Sequence, residues 1–266
     1  MSSVDAEYEA PLKKDKIPVL EIFGPTLQGE GNMIGAQTWF VRTAGCDYRC
    51  SKCDSMHAVD PQQYKGKVTY YSASELAAIV LYEMGHCEWV TISGGNPMLW
   101  DFAEFVREMH NAGKKVAVET QGSYYKSWAA FVDVLTVSPK GPGMGIGAAE
   151  SLNHVKEFYS KLSEDRREGR PFTFKTVIKI PVFFEADLDF AEKFALEFLY
   201  DIYLSVGNDD VPANGSSGEL DDHVRTGLLL GALEDICQAV YKRPTLARAR
   251  ILPQLHVLMY GNQQGV

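Results

Sequence analysis

The chain has 266 residues, 45% of them hydrophobic and 23% charged, enough to fill one core and short for two independent ones. Twenty-six Lys and Arg against thirty-five Asp and Glu leave a formal charge of −9, which argues against wholesale binding of a phosphate backbone but permits a locally positive pocket for a small anion. No apolar run approaches the roughly eighteen residues of a membrane span, and the start MSSVDAEYEAPLKKDK lacks the apolar stretch of a secretion signal, so a cytoplasmic chain with no membrane span is expected.

Residues 1–17 are polar, mixed in charge and broken by Pro11, and read as a flexible lead-in to one domain over residues 18–266. The segment PVLEIFG is followed by a Gly-rich turn region, TLQGEGNMIGA, and then by TWFVRTA at 38–44, whose aromatic and β-branched residues predict a strand. Beyond a cluster of cysteines the pattern alternates. SASELAAIVLYEM reads as a helix capped by Ser72 or Ser74, EWVTIS as a strand running into Gly94 and Gly95, FAEFVREMH as a helix and KKVAVET as a strand. A short helix near Tyr124 to Phe131, the strand VDVLTVS, a helix from Ala149 to Leu162 and the strand FKTVIKI come next. A helix from Leu188 to Leu199, the strand DIYLSV, a loop of biased composition GNDDVPANGSSGELDD, a helix over 221–241 and an extended RARILPQLH complete the chain. Strands alternating with helices indicate a parallel sheet with helical crossovers, and an α/β partial TIM-like barrel of about six parallel strands with outer helices is the expected fold. A doubly wound open sheet is the alternative, because periodicity does not reveal strand order. Either architecture gathers ligand-binding groups on the loops after the strand C-termini.

The five cysteines are spread unevenly: Cys46, Cys50 and Cys53 lie together, Cys87 and Cys237 apart. An odd number in this arrangement is unlike a disulfide scaffold, and the two isolated cysteines read as small buried hydrophobes. RTAGCDYRCSKCDS places CxxxCxxC directly after a strand, where three thiolates can converge on one face of an iron–sulfur cube and leave its fourth iron without a protein ligand. The competing reading is structural zinc with a fourth ligand such as His57 or His86, although no second cysteine knuckle is present.

The cysteine spacing after a first strand resembles the signature of the radical SAM superfamily, whose members bind S-adenosylmethionine through its amino and carboxylate groups to the open iron of a [4Fe-4S] cluster. Where such proteins commonly carry an aromatic residue before the third cysteine, Lys52 stands. SGGNP resembles the superfamily's GGEP motif, with Asn96 in place of glutamate; Gly94 and Gly95 would let the backbone approach a ligand that a Cβ would block. At two further strand ends, Glu119 and Gln121 would meet the ribose of the cofactor, and Ser138 and Lys140 its ribose or carboxylate. A cap on the following short helix is the plainer role for Glu119.

EIFGPTLQGEGNMIGAQTWFVR, CDS and the closing RARILPQLHVLMYGNQQGV are similar to segments of the 7-carboxy-7-deazaguanine synthase family. That resemblance implies the ring contraction of 6-carboxy-5,6,7,8-tetrahydropterin to 7-carboxy-7-deazaguanine with loss of ammonia, a step toward queuosine-type deazapurines. It implies a pterin-binding set of Gln28, Glu30, Gly31, Arg42, Gly94, Gln254 and His256, with Arg42 as a bidentate fork for a carboxylate and Ser55 as a ligand to Mg2+. For Arg42 a surface strand arginine, and for His256 a half-buried strand histidine, are the plainer readings. The resemblance also implies a homodimer and an electron donor such as flavodoxin or a ferredoxin, without direct nucleic-acid contact. An activase that makes a glycyl radical on a protein partner, or a zinc-stabilised binding module, would share the cysteine spacing.

Overall fold

The computed structural model describes residues 16–167, 175–210 and 219–266. The expected lead-in, apart from its last two residues, and residues 211–218 of the biased loop at 207–222 lie outside the described residues.

Nine strands form one sheet: β1 (Ile17–Leu27), β2 (Gln37–Thr43), β3 (Thr69–Tyr71), β4 (Trp89–Gly94), β5 (Lys115–Thr120), β6 (Val134–Val137), β7 (Lys175–Val182), β8 (Asp201–Val206) and β9 (Arg250–Leu252). Their order is β3-β1-β2-β4-β5-β6-β7-β8-β9, with β3 and β9 at opposite edges. From β2 to β9 every pairing is parallel, seven strands where about six were expected. β1 pairs antiparallel with β2 and β3 antiparallel with β1, an extension that the alternating pattern did not predict. β1 also runs on to Leu27, past the expected end of PVLEIFG, by absorbing register shifts after Val19 and Phe23.

The parallel strands follow one another in chain order with no reversal. A doubly wound sheet requires a reversal to put helices on both faces; a one-way order with right-handed crossovers keeps them on one. The architecture is therefore the partial barrel, open between β3 and β9, and the doubly wound alternative is set aside.

The crossover helices are α3 (Ala73–Met84), α4 (Ala103–Asn111), α5 (Ala148–Arg167), α6 (Glu185–Glu197) and α7 (Asp222–Val240), after two short helices, α1 (Met56–Val59) and α2 (Pro61–Tyr64), that sequence periodicity missed because each is a single turn. Ser72 starts α3 with a capping box: its hydroxyl accepts from the Glu75 N–H, and the Glu75 carboxylate accepts from the Ser72 N–H. The short helix expected near Tyr124 is a 3-10 turn at Ser127–Phe131. The closing segment is extended only to Leu252 and then enters a short helix, α8 (Leu255–Tyr260). Among the described residues no helix is long and apolar enough to cross a membrane.

Side chains alternate across each strand. Val116 and Val118 of β5, and Ile178 and Ile180 of β7, join the core beneath the helices with Val80, Phe105, Phe158 and Phe194. Their neighbours Glu119, Lys179 and Pro181 face the opposite way, into a cavity. One face of the sheet thus makes the core and the other is left to carry polar chemistry.

Candidate active site

The C-terminal ends of the parallel strands surround a cavity of about 250 Å³. Of the residues expected to hold the cluster, the cofactor, the substrate or Mg2+, all line it except Gly31. Gly31 is buried in a turn with a left-handed backbone (φ +63°), a conformation that favours glycine, and it lies next to Glu30 and the Lys179 side chain.

The cysteine loop leaves β2 and is held on all sides by backbone bonds. The Gly45 N–H donates to the Ala58 carbonyl (2.7 Å), the Asn96 N–H to the Gly45 carbonyl (2.8 Å) and the Ser51 N–H to the Met144 carbonyl (3.0 Å). Gly94 and Gly95 owe their identity to this contact. A Cβ on Gly94 would lie 2.2 Å from the Thr43 carbonyl oxygen, and one on Gly95 would lie 2.0 Å from that of Gly45. The missing side chains therefore make room for the cysteine loop, and both glycines also line the cavity.

Asn96 is fully buried, and its amide both donates and accepts: Nδ2 donates to Asp47 (2.8 Å) and Ser123 (3.1 Å), while Oδ1 accepts from the Thr120 hydroxyl (2.9 Å). A glutamate would bring a second carboxylate against Asp47 and no donor, which accounts for asparagine at this position. Gln121 reaches the same loop, donating to Asp47 (2.7 Å) and weakly to Cys46 Sγ (3.6 Å).

Cys46, Cys50 and Cys53 are free thiols packed around Tyr48 and Met144. Burial pushes Cys50 up to about 11 against the pull of Lys140, and burial with the Asp54 charge pushes Cys53 up to about 12. Thiols so placed ionise only with a strong cation to stabilise them, as iron ligation does. Among the described residues no three His, Cys, Asp or Glu side chains converge as the ligands of a single ion do. A cube places each thiolate on a different iron, so its ligands share a pocket and not a point, and the donor set fits an iron–sulfur cluster. Lys52 pairs with Asp209 and lies 4.5 Å from the Phe183 ring centroid, so an aromatic from the loop after β7 stands beside the position where the loop itself lacks one. Of the isolated cysteines, Cys87 is buried as expected, whereas Cys237 is only half-buried.

On the opposite wall, Gln28 Nε2 donates to Glu119 Oε1 (3.1 Å), Gln28 Oε1 accepts from the Glu30 N–H (3.2 Å), and Gln254 Nε2 donates to Glu30 Oε1 (2.8 Å). Glu119 does not cap the following turn; it faces Gln28 and the ammonium of Lys179, which ion-pairs with Glu30 and lies 3.6 Å from Glu119 Oε2. Burial raises the Glu30 carboxyl, but Lys179 and then His256 pull it down further, so it stands well below the usual carboxylate range. Burial lowers the Lys179 ammonium and the two carboxylates more than reverse that. His256 is on α8 and not on a strand; its ring covers Gly29, where a Cβ would lie 2.1 Å from Nδ1. Lys179 was missed from the sequence, and its signal was present: one cation inside the apolar run TVIKIPV has to be paired when the strand is buried.

Between the two walls, Arg42 is no surface arginine. Its side chain is 17% exposed, its Nε is bound by Glu21, and Nη1 lies 3.4 Å from Ser55 Oγ. The expected fork for an external carboxylate is therefore already half occupied by a carboxylate of β1. Ser55 donates to Asp54 Oδ1 (3.0 Å), which puts two oxygen ligands side by side. Ser138 accepts from Lys140 Nζ (2.9 Å) at the end of β6. Residues 261–266, within the closing segment that carries the family resemblance, also line the cavity, with Gln264 Nε2 3.2 Å from His57 Nδ1.

No family model matches the chain. It is 39% identical over 255 residues to a 7-carboxy-7-deazaguanine synthase of Bacillus subtilis, covering 94% of this chain and 98% of that protein. It is 36% identical over 256 residues to the protein of the same name from Bacillus cereus, covering 94% and 99%. Among solved structures, QueE from Escherichia coli shares the fold with a TM-score of 0.59 at 21% identity, over 91% of this chain and 95% of that one. Streptococcus suis SuiB bound to S-adenosylmethionine shares it with a TM-score of 0.52 at 13% identity, over 81% and 50%. With near-complete coverage of both chains at these identities, the protein belongs to the 7-carboxy-7-deazaguanine synthase family.

Proposed function

We propose that this chain converts 6-carboxy-5,6,7,8-tetrahydropterin to 7-carboxy-7-deazaguanine with loss of ammonia, on the way to queuosine-type deazapurines. The observation that carries the proposal is one cavity with the three thiols of CxxxCxxC on one wall and a paired set of buried carboxylates and amides on the other. Family membership displaces the zinc-stabilised module and the glycyl-radical activase as readings of the cysteine spacing.

Cys46, Cys50 and Cys53 would hold the [4Fe-4S] cluster, and Gly94, Gly95, Glu119, Gln121, Ser138 and Lys140 the S-adenosylmethionine beside it. The loaded pair supplies the one-electron chemistry that removes a hydrogen atom from the substrate. The protein supplies placement. Glu30 and the amides of Gln28 and Gln254 offer acceptors to the amide and amino edge of a pterin, and Gln254 Oε1 is a buried acceptor with no partner among the described residues. At the other end of the ring, Arg42 would exchange part of its contact with Glu21 for the substrate carboxylate, while Ser55 and that carboxylate would share Mg2+ with waters. His256 closes the site against the Gly29 backbone and keeps water from the reacting carbon. Gly31 belongs to the same reading through its backbone, next to Glu30. The same reading includes a homodimer, a cytoplasmic location, and a low-potential donor such as flavodoxin or a ferredoxin.

The test is anaerobic turnover of the iron-reconstituted protein with S-adenosylmethionine, a strong reductant, Mg2+ and the tetrahydropterin, with mass detection of 7-carboxy-7-deazaguanine. Product formation is expected. Slow 5′-deoxyadenosine release with the pterin unconsumed would overturn the substrate assignment.

A further inference from the structure

Lys179 ties together parts of the polar wall that come from separate elements. It stands on β7 between Val177, Ile178, Ile180 and Val182, its side chain is 6% exposed, and its ammonium faces Glu30 and Glu119 at once. These two carboxylates come from separate parts of the fold, Glu30 from the turn after β1 and Glu119 from the end of β5. Each is bound by one further amide, Gln254 on Glu30 and Gln28 on Glu119, and Gln28 also receives the Glu30 N–H. The chain of contacts Gln254, Glu30, Lys179, Glu119, Gln28 therefore runs along the polar wall without a break.

Two carboxylates confined in one cavity do not both ionise near neutrality unless a cation lies between them. The distinction matters to the ligands. An ionised carboxylate only accepts hydrogen bonds, as the N–H edge of a pterin and a pair of ribose hydroxyls require, whereas a protonated one presents a donor to a donor. Resting on the function proposed above, we infer that Lys179 is a positioning residue that holds Glu30 and Glu119 together as acceptors, one for the substrate ring and one for the cofactor, and thereby links occupancy of the two subsites. The other charged or titratable groups acting on this set are His256 of α8, which faces Glu30, and Asp54 of the cysteine loop, which acts on Lys179.

The experiment compares wild type, Lys179→Met, Lys179→Arg and the double variant Lys179→Met with Glu119→Gln, all reconstituted with iron. Pterin affinity and S-adenosylmethionine affinity are measured separately by equilibrium dialysis from pH 6 to 8.5, and thermal melting checks the fold. Wild type is expected to bind both ligands with little pH dependence. Lys179→Met is expected to bind the pterin progressively more weakly as the pH falls, by about tenfold for each unit below the pH at which a carboxylate takes up its proton. Lys179→Arg is expected to keep a flat profile, because it keeps the cation. In the double variant the flat pterin profile is expected to return, since one carboxylate no longer competes with the other, while S-adenosylmethionine binds more weakly than to wild type because the Glu119 carboxylate is gone. A Lys179→Met protein that binds both ligands as wild type does, or one weakened equally at every pH and not relieved by Glu119→Gln, would overturn the inference. Failure of wild type to bind or convert the pterin would sink the substrate assignment alone, because the S-adenosylmethionine arm still reads Lys179.

Discussion

The two walls of the cavity are built in opposite ways. The cysteine wall is made mostly from one loop of consecutive residues, with Gly94, Gly95 and Asn96 fitted against it from the end of β4. The polar wall has no local origin. Gln28, Glu119, Lys179 and Gln254 lie on four different elements and meet only because β1, β5, β7 and the segment after β9 face one lumen. A loop of fixed spacing can carry a cluster wherever its anchors hold. A buried charge network depends on every strand being in register, since a one-residue slip turns Lys179 into the core and Ile178 or Ile180 into the lumen.

Breaking the local wall is expected to have the largest effect. Cys50→Ser removes one of three thiolates, and the anaerobically reconstituted protein should lose its visible cluster absorption and all turnover; full iron and sulfide content in that variant would refute the ligand assignment. Gly95→Ala tests whether the wall depends on its backbone fit. With its Cβ 2.0 Å from the Gly45 carbonyl oxygen, the loop or β4 has to move. Urea unfolding should show a loss of about 3 kcal/mol with reduced iron loading, the upper part of the range for overpacking. Unchanged stability would mean that the loop yields freely and that the backbone fit is not what requires glycine.

The junction between the walls should respond more selectively. Arg42→Ala removes the cation shared by Glu21 and Ser55 and is expected to weaken pterin binding about 100-fold, the effect of truncating one partner of a buried charge pair, while iron content stays at the wild-type level. Pterin affinity equal to wild type would separate Arg42 from the substrate. Ser55→Ala should be the mildest change: the Mg2+ concentration for half activation rises about fivefold, because a hard cation that keeps its waters loses one oxygen ligand among several. An unaltered magnesium titration would release Ser55 from that role.

How far the sequence could be read follows the same division. CxxxCxxC, the glycine pair and the strand ends near Glu119 and Ser138 were found because their signals are short in sequence and sit at the boundaries of periodic segments. Gln28, Glu30, Gly31, Arg42, Gln254 and His256 became visible only through family resemblance, because they are scattered along the chain and no local pattern marks them. His256 was read on a strand because LPQLH continues an extended run; Pro253 ends that run and the next residues coil into α8.

By itself the sequence determined the alternation of strands and helices, the cluster-binding loop and the absence of a membrane-length helix, all properties of neighbouring residues. Tertiary structure decided which polar groups meet: that Arg42 is shared with Glu21, that Asn96 is required by Asp47, and that Lys179 lies between two carboxylates 89 positions apart in the chain. The reason is that periodicity reports which face of an element is buried, while the partners of a buried charge are set by strand order and register, which only the folded sheet contains.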